Sequence, residues 1–185
     1  MLVGSLSRHE KKVMFDVIAG HEQNPAALLE QVFGQVAADE MRGLPFYRDH
    51  IPLRACGFQL FEQQWIGALL TPWMLSLVVL PGPQQSWQRR AVGERLMLAL
   101  PCGSISFIVS EIDFTVSEIA GCGQYLSRSL MSPLDTSLSA ERALQLAEQS
   151  ARMALSLPVM DADAPANPRR RALFNKVSQI KNQHA

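Results

Sequence analysis

The stretch Trp65-Ile-Gly-Ala-Leu-Leu-Thr-Pro-Trp-Met-Leu-Ser-Leu-Val-Val-Leu-Pro-Gly-Pro83 decides the fold of this chain. It is the most apolar part of the sequence and lies inside an uncharged run, residues 63–88. A helix needs roughly 20 apolar residues to cross a membrane, and Pro72 stands in the middle of this shorter stretch. Its β-branched and aromatic side chains favour strands. The sequence therefore predicts two buried strands, Trp65–Leu70 and Trp73–Leu80, bent at Thr71-Pro72, rather than a membrane span.

Other strands are predicted on both sides of this stretch. Short apolar or alternating runs are typical of strands, and they occur at Phe58–Phe61, Leu96–Leu100, Ile105–Ser110 and Gln124–Met131. Pro101–Ser104 has the composition of a hairpin turn, whereas Trp87–Glu94 suggests a helical turn. Because the connections between successive strands are short, we expect antiparallel pairing.

Helices are predicted at both ends of the strand region. Ser7-Arg-His-Glu10 resembles a capping box that opens a helix ending at Gly20, and Asn24-Pro25 opens a second helix with an apolar stripe. Ser139 is the expected cap of a third helix that ends at Pro158. The predicted fold class is α+β: a mainly antiparallel sheet of five or six strands flanked by N-terminal and C-terminal helices.

The chain divides into three predicted regions. Residues 1–23 form an N-terminal helical extension, residues 24–158 the folded domain, and residues 159–185 a basic, flexible tail. From Ala166 to Ala185 the tail carries five basic residues and no acidic ones, but it holds a single aromatic residue, Phe174, so nucleic-acid binding is not indicated. The N-terminus lacks a secretory signal, and three cysteines without a CxxC pair fit a reducing compartment, so we expect a cytoplasmic location.

A search for catalytic or metal-binding motifs finds none of the common patterns. The sequence has no GxSxG, GxGxxG, P-loop or HExxH motif. All four histidines fall in predicted ends, arms or tails, where a general base would not be held in place. No metal ion or other cofactor is therefore expected, and a binding protein is favoured over an enzyme. An enzyme and a metal- or small-molecule-delivery protein stay open as alternatives.

An ordered set of short motifs resembles one known family. These motifs are Gln64–Gly67, Thr71–Leu75, Pro81-Gly82, Leu100–Gly103, Gln124–Leu134 and Ala151–Pro158. Together they are similar to the nickel–iron hydrogenase assembly chaperones of the HybE type, over approximately Asn24 to Pro158. The resemblance implies an accessory chaperone, not an enzyme, that binds hydrogenase subunit precursors before export. The implied partners are the twin-arginine signal peptide of the small subunit and the large subunit, without nucleic acid or stable membrane insertion.

This chain departs from the family pattern in its first 20 or so residues and in a repeated motif. Val109-Ser-Glu-Ile112 recurs as Val116-Ser-Glu-Ile119 and is expected to lengthen the loop before Tyr125. Since the family offers no catalytic residues to transfer, the candidate partner-binding residues come from chemistry. Carboxylates would hold the two guanidinium groups, and large side chains near strand ends would form an apolar groove. The candidates are Glu111, Asp113 and Glu118 for the first role, and Trp65, Trp73, Pro81, Gly82, Trp87, Tyr125 and Met131 for the second.

Overall fold

A computed structural model describes residues 17–112 and 123–157 of the chain. Two helices lie in these ranges, α1 (Ala26–Val36), extended by one π-helical turn at Ala37–Met41, and α2 (Ala140–Ala154). The strands are β1 (Val17–Ala19), β2 (Arg54–Phe61), β3 (Gln64–Leu70), β4 (Leu75–Pro81), β5 (Ser86–Gln88), β6 (Arg95–Leu100), β7 (Gly103–Ile112) and β8 (Gly123–Met131). Neither described helix is long and apolar enough to span a membrane.

Six of the strands form one sheet in the order β2-β3-β4-β8-β7-β6, and every neighbouring pair is antiparallel. The predicted pair of buried strands becomes β3 and β4, which meet at a turn where Leu70 pairs with Leu75. The hydroxyl of Thr71 fixes this turn by accepting from the backbone N–H of Met74 at 3.1 Å. The predicted α+β fold with an antiparallel sheet is therefore confirmed.

The sheet is covered on both faces, which explains why β3 and β4 are apolar almost without interruption. Alternate residues of a strand point to opposite faces. Leu69, Val78 and Leu80 therefore pack on the face that α1 covers, in one cluster with Phe33 of that helix. Ile66, Ala68, Leu77 and Val79 pack on the other face, against buried alanines of α2. These alanines, Ala143, Ala147, Ala151 and Ala154, are small and let the helix lie close to the sheet.

The two helices begin where the sequence predicts. The Ser139 side chain accepts from the N–H of Arg142 at 3.2 Å and caps α2. The Asn24 side chain accepts from the N–H of Ala26 at 3.0 Å at the start of α1. Each bond satisfies one of the N–H groups that the first turn of a helix leaves unpaired.

A second, two-stranded sheet corrects two predictions. Val17–Ala19 is strand β1 and not the last turn of a helix. It pairs with β5, Ser86–Gln88, so Trp87 and Gln88 are in a strand and not at the start of the predicted helical turn Trp87–Glu94. Local spacing predicted helix in both places, but each segment finds its hydrogen-bonding partner about 70 residues away in sequence, with Ile18 opposite Trp87. The remainder of the predicted first helix, residues 1–16, and the basic tail lie outside the described residues.

Candidate functional site

A cavity of about 310 Å³ opens on the face of the sheet that also carries α2. Four apolar side chains from three neighbouring strands, Leu96, Leu98, Val109 and Leu126, belong to its lining. Trp87 of β5 and a few polar residues complete it, namely Gln64 of β3, Ser86 and Gln88 of β5, Arg90 and Gln124. Concave, mainly apolar sites with a few polar groups are typical of ligand-binding pockets, so this cavity is the candidate site.

The position of α2 explains why a cavity exists at this place. The main contacts of α2 are with β2, β3 and β4. The β7 and β6 part of the same face still presents apolar side chains, because Leu96 and Leu98 alternate towards this face along β6. Trp87 packs against that apolar surface while staying partly exposed. The cavity therefore lies between the part of the sheet that α2 covers, β2 to β4, and the part beside Trp87, Gln88 and Arg90.

The buried amide of Gln124 holds the segment that follows β5 in place. Gln124 is 3% exposed. Its side-chain oxygen accepts from the N–H of Arg90 at 2.9 Å, and its side-chain nitrogen donates to the carbonyl of Arg90 at 2.7 Å. One amide thus satisfies both backbone groups of one residue, as a neighbouring strand would. This pairing fixes the chain two residues after β5 and so limits the movement of Trp87.

Glu111 lies beside this pairing. It is an exposed residue of β7, which continues to Ile112, two residues beyond the predicted strand Ile105–Ser110. Its carboxylate accepts from the side chain of Gln124 at 3.2 Å and forms an ion pair with Arg89. These two hydrogen bonds, from Gln124 first and Arg89 second, hold the pKa of Glu111 below its usual value. The other two predicted carboxylates, Asp113 and Glu118, lie outside the described residues.

Three of the predicted residues, Trp73, Pro81 and Gly82, contribute to the core. Trp73 is 7% exposed and stacks on Tyr47, with 6.1 Å between ring centroids. Pro81 and Gly82 are buried, and a Cβ on Gly82 would lie 2.1 Å from the carbonyl oxygen of Gln63. In this conformation these three residues offer little surface to a partner.

The remaining three predicted residues also have internal contacts. Tyr125 is 7% exposed and meets Phe33 edge to face, with centroids 6.2 Å apart. Trp65 is half-buried, and its indole N–H donates to the carbonyl of His21 at 2.9 Å. Met131 is half-buried against the core on the α2 side of the sheet. Of the predicted residues within 17–112 and 123–157, only Trp87 lines the cavity, and Glu111 is connected to it through Gln124.

The described histidines and cysteines do not form a reactive centre. Within residues 17–112 and 123–157, no three histidine, cysteine or acidic side chains lie close enough to share a metal ion. Burial, followed by the nearby acids Glu148 and Glu30, raises the pKa of Cys56 and disfavours its thiolate. Burial also lowers the pKa of His21, whose Nε2 atom is buried without a hydrogen-bond partner.

Sequence reasoning missed Gln124, Arg90 and the two leucines of β6 as site residues. The alternation of Leu96 and Leu98 predicted their strand, but it could not show that the surface above them is only partly covered. A single signal for Gln124 exists: it is two residues before the core residue Leu126 and so lies on the same face of β8. A polar residue at such a position must find a partner inside the protein.

Comparisons with known proteins agree on one family. A family model described as NiFe-hydrogenase assembly, chaperone, HybE matches residues 24–176. The chain is 44% identical over 165 residues to the hydrogenase-2 operon protein HybE of Escherichia coli strain K12, covering 89% of this chain and 98% of that protein. It is 30% identical over 161 residues to the hydrogenase expression/formation protein HupJ of Bradyrhizobium diazoefficiens, covering 83% of this chain and 87% of that protein.

A solved structure supports the same assignment at the level of the fold. The solution structure of HybE from Escherichia coli superimposes with a TM-score of 0.62 and 44% sequence identity. The match covers 81% of this chain and 88% of that one. Sequence and architecture thus point to one group of proteins over most of the chain. The chain belongs to the HybE family of nickel–iron hydrogenase assembly chaperones.

Proposed function

We propose that this chain is an accessory chaperone that binds hydrogenase subunit precursors in the cytoplasm, before their export, and that it acts by binding and not by catalysis. The proposed ligands are the twin-arginine signal peptide of the small subunit and the large subunit. Family membership supports the role in hydrogenase assembly. The cavity beneath Trp87 is where we expect an apolar segment of the precursor to bind.

The observation that carries this proposal is a partly exposed tryptophan held over an apolar cavity. Trp87 is anchored on one side by the pairing of β5 with β1, and on the other by the amide of Gln124 on Arg90. An aromatic side chain held in position loses little freedom on binding, and tryptophan is enriched among the residues that dominate interface energies. Leu96 and Leu98 supply apolar surface that a precursor segment would remove from water.

Binding of the signal-peptide arginines by the predicted carboxylates would require a change in the pairing of Glu111. Glu111 is already paired with Arg89, so an arginine of a signal peptide would have to displace that side chain or share the carboxylate with it. Asp113 and Glu118 would then supply the additional negative charge. Replacing all three acids with alanine should weaken binding of a signal peptide but leave binding of its isolated apolar segment unchanged. Equal affinity of the triple variant and the wild type for the whole peptide would remove the acids from the proposal.

Affinity purification from the native host tests the function itself. A tagged wild-type chain should retain hydrogenase subunit precursors, identified by mass spectrometry, and Trp87→Ala should retain much less of them. Met153→Ala is the matched control, because Met153 is 58% exposed on α2 and does not line the cavity. Absence of every hydrogenase subunit from repeated wild-type purifications would contradict the proposal.

A further inference from the structure

The outer edge of β6 carries backbone groups that have no partner within the described part of the chain. β6 is the last strand of the sheet order and pairs only with β7. We propose that this edge accepts an extended apolar segment of the partner, which adds a strand to the six-stranded sheet and places alternate side chains at the Trp87 cavity. This inference rests on the proposed function and gives its binding mode.

The register of β6 and β7 determines which backbone groups point outward. The N–H of Val109 donates to the carbonyl of Glu94 and its carbonyl accepts from the N–H of Gly93, both at 2.9 Å, so Val109 takes the hydrogen-bonded position opposite a bulge at Gly93-Glu94. Such pairs alternate along an antiparallel ladder, and the register continues from Arg95 opposite Ile108 to Leu100 opposite Gly103. Leu96, Leu98 and Leu100 therefore direct their backbone groups to β7. The N–H and C=O groups of Arg95, Met97 and Ala99 point away from the sheet.

The composition of β6 leaves this edge unprotected. Proteins usually blunt an exposed strand edge with charged residues, proline or a bulge. From Leu96 to Leu100 the sequence is Leu-Met-Leu-Ala-Leu, without a charge or a proline, and its pairing with β7 runs without a register shift. Met97 is 67% exposed. An apolar edge of this kind favours pairing with another extended chain.

The opposite edge of the same sheet, β2, provides an internal comparison. Its pairing with β3 is interrupted by a bulge between Cys56 and Gln59. Side chains from the α1 region cover two of its backbone groups: the N–H of Ala55 donates to Glu30 at 3.0 Å, and the side-chain amide of Asn24 donates to the carbonyl of Phe58 at 3.2 Å. The β2 edge is thus capped and bulged within the strand. β6 starts at Arg95, directly after the bulge at Gly93-Glu94, and from there to Leu100 it is regular and has no second partner strand among the described residues.

The cavity beside β6 indicates what kind of segment would bind. Leu96 and Leu98 lie on the strand at the edge and also line the cavity, so alternate side chains of an added strand would lie next to them. These side chains should be apolar. We take the precursor as the occupant because the proposed function requires it to bind at this cavity. A second copy of this chain also has an apolar β6, and it is distinguished by protection of the edge amides in the free protein.

Amide hydrogen exchange, followed by NMR on the full-length chain, tests the inference directly. The probe is a synthetic peptide carrying the signal sequence of the host's hydrogenase small-subunit precursor. Peptide should slow exchange at Met97 and Ala99 by about tenfold or more, whereas Leu96 and Leu98 should be protected with or without it. Unchanged exchange at Met97 and Ala99 in a saturated complex would overturn the inference. So would protection of both amides in the free protein, since the chain itself or a second copy would then occupy the edge.

A pair of substitutions at one position gives a second test. Met97→Pro removes an outward N–H that β7 does not use, and Met97→Ala keeps that N–H and removes only the side chain. The proline variant should bind the peptide about tenfold more weakly or worse, and the alanine variant should stay within about threefold of the wild type.

The outcomes separate this inference from the proposed function. Wild-type affinity in a folded Met97→Pro variant would refute strand addition while leaving the chaperone role intact. Failure of the wild type to bind any hydrogenase precursor would refute the chaperone role. If the proline variant does not fold, exchange at Met97 and Ala99 of the wild type still decides the question.

Discussion

The side-chain amide of Gln124 connects the sheet to the binding surface through one residue. It is 3% exposed and bonds both the N–H and the carbonyl of Arg90. A buried amide without partners would cost free energy, so its bonds to Arg90 make this position of β8 tolerable to a polar residue. They also hold the chain next to Trp87. A stabilising contact of the fold and the geometry of the candidate site therefore depend on the same side chain.

Replacement of Gln124 should affect both stability and binding. We expect Gln124→Ala to lower the free energy of unfolding by about 1–2 kcal/mol, because two hydrogen bonds to a fixed segment are lost. Denaturant unfolding followed by circular dichroism measures this change. Gln145→Ala is the control, since Gln145 is exposed on α2 and its substitution should change the free energy of unfolding by less than about 0.5 kcal/mol. Equal stability of the two variants would contradict a structural role for Gln124.

Glu111 should make stability depend on pH in the acidic range. Its pKa in the folded chain is held below the usual 4.5 by hydrogen bonds from Gln124 and Arg89. A group with a depressed folded pKa stabilises the protein above its unfolded pKa and loses this contribution as pH falls through the folded value. The stability difference between wild type and Glu111→Gln should therefore be present near neutral pH and shrink below about pH 4.5. Because the carboxylate is exposed, the difference should stay under about 1 kcal/mol.

The same pair of unfolding curves also defines what would contradict this expectation. Parallel stability profiles of wild type and Glu111→Gln from neutral to acidic pH would show that the carboxylate has the same pKa in the folded and unfolded chain. A difference that grows on acidification would require a raised pKa, which is opposite to the effect of the hydrogen bonds from Gln124 and Arg89.

At the scale of elements, β3 packs closely against β2 through a glycine. A Cβ on Gly67 would lie 2.4 Å from the ring of Phe58, which is 7% exposed. Gly67→Ala should therefore destabilise the chain by about 1–3 kcal/mol, as overpacking of a core does. Gly34→Ala in α1 is the matched control. No atom lies within 4 Å of its added Cβ, and alanine in a helix should stabilise by up to about 1 kcal/mol. Thermal unfolding should show a lower unfolding temperature for Gly67→Ala and a higher one for Gly34→Ala than for the wild type.

The sequence predicted the elements whose pattern is local and could not predict those that depend on distant partners. The apolar run divided by Thr71-Pro72 indicated β3 and β4, and the alternation of leucines indicated β6. β1 and β5 are only three residues long, and each is a strand because it pairs with the other. Spacing within such a short segment does not distinguish strand from helix, so the helical interpretations of Val17–Ala19 and of Trp87-Gln88, the start of the predicted turn Trp87–Glu94, were wrong.

The candidate site was predictable only in part for a related reason. Trp87 could be selected as a large side chain beside a loop, and Glu111 as a carboxylate in an apolar region. Trp73 and Tyr125 have the same chemistry as Trp87, but α1 and the loop before β2 cover them. Which aromatic residue stays accessible depends on where the helices lie over the sheet. That position follows from packing over the whole domain and not from any local motif.

At the scale of the whole molecule, one half of the six-stranded sheet is covered on both faces and the other half is only partly covered. α2 packs against the β2–β4 half of one face, where β3 and β4 are buried on both sides. The other half ends at β6, with a cavity and an open edge. A buried half can hold the fold while the partly open half accepts a precursor. Apart from Gln124, whose amide also stabilises the fold, substitutions of cavity-lining residues should therefore weaken binding of the precursor while the chain stays folded.

Calorimetric titration of the purified chain with the small-subunit signal peptide tests the central claim most directly. We predict saturable binding by the wild type, an affinity at least about tenfold weaker for Trp87→Ala, and unchanged affinity for Met153→Ala. Circular dichroism of each variant establishes that it is folded. Absence of binding by the wild type, or equal affinity of Trp87→Ala and the wild type, would contradict binding of the precursor at the cavity beneath Trp87.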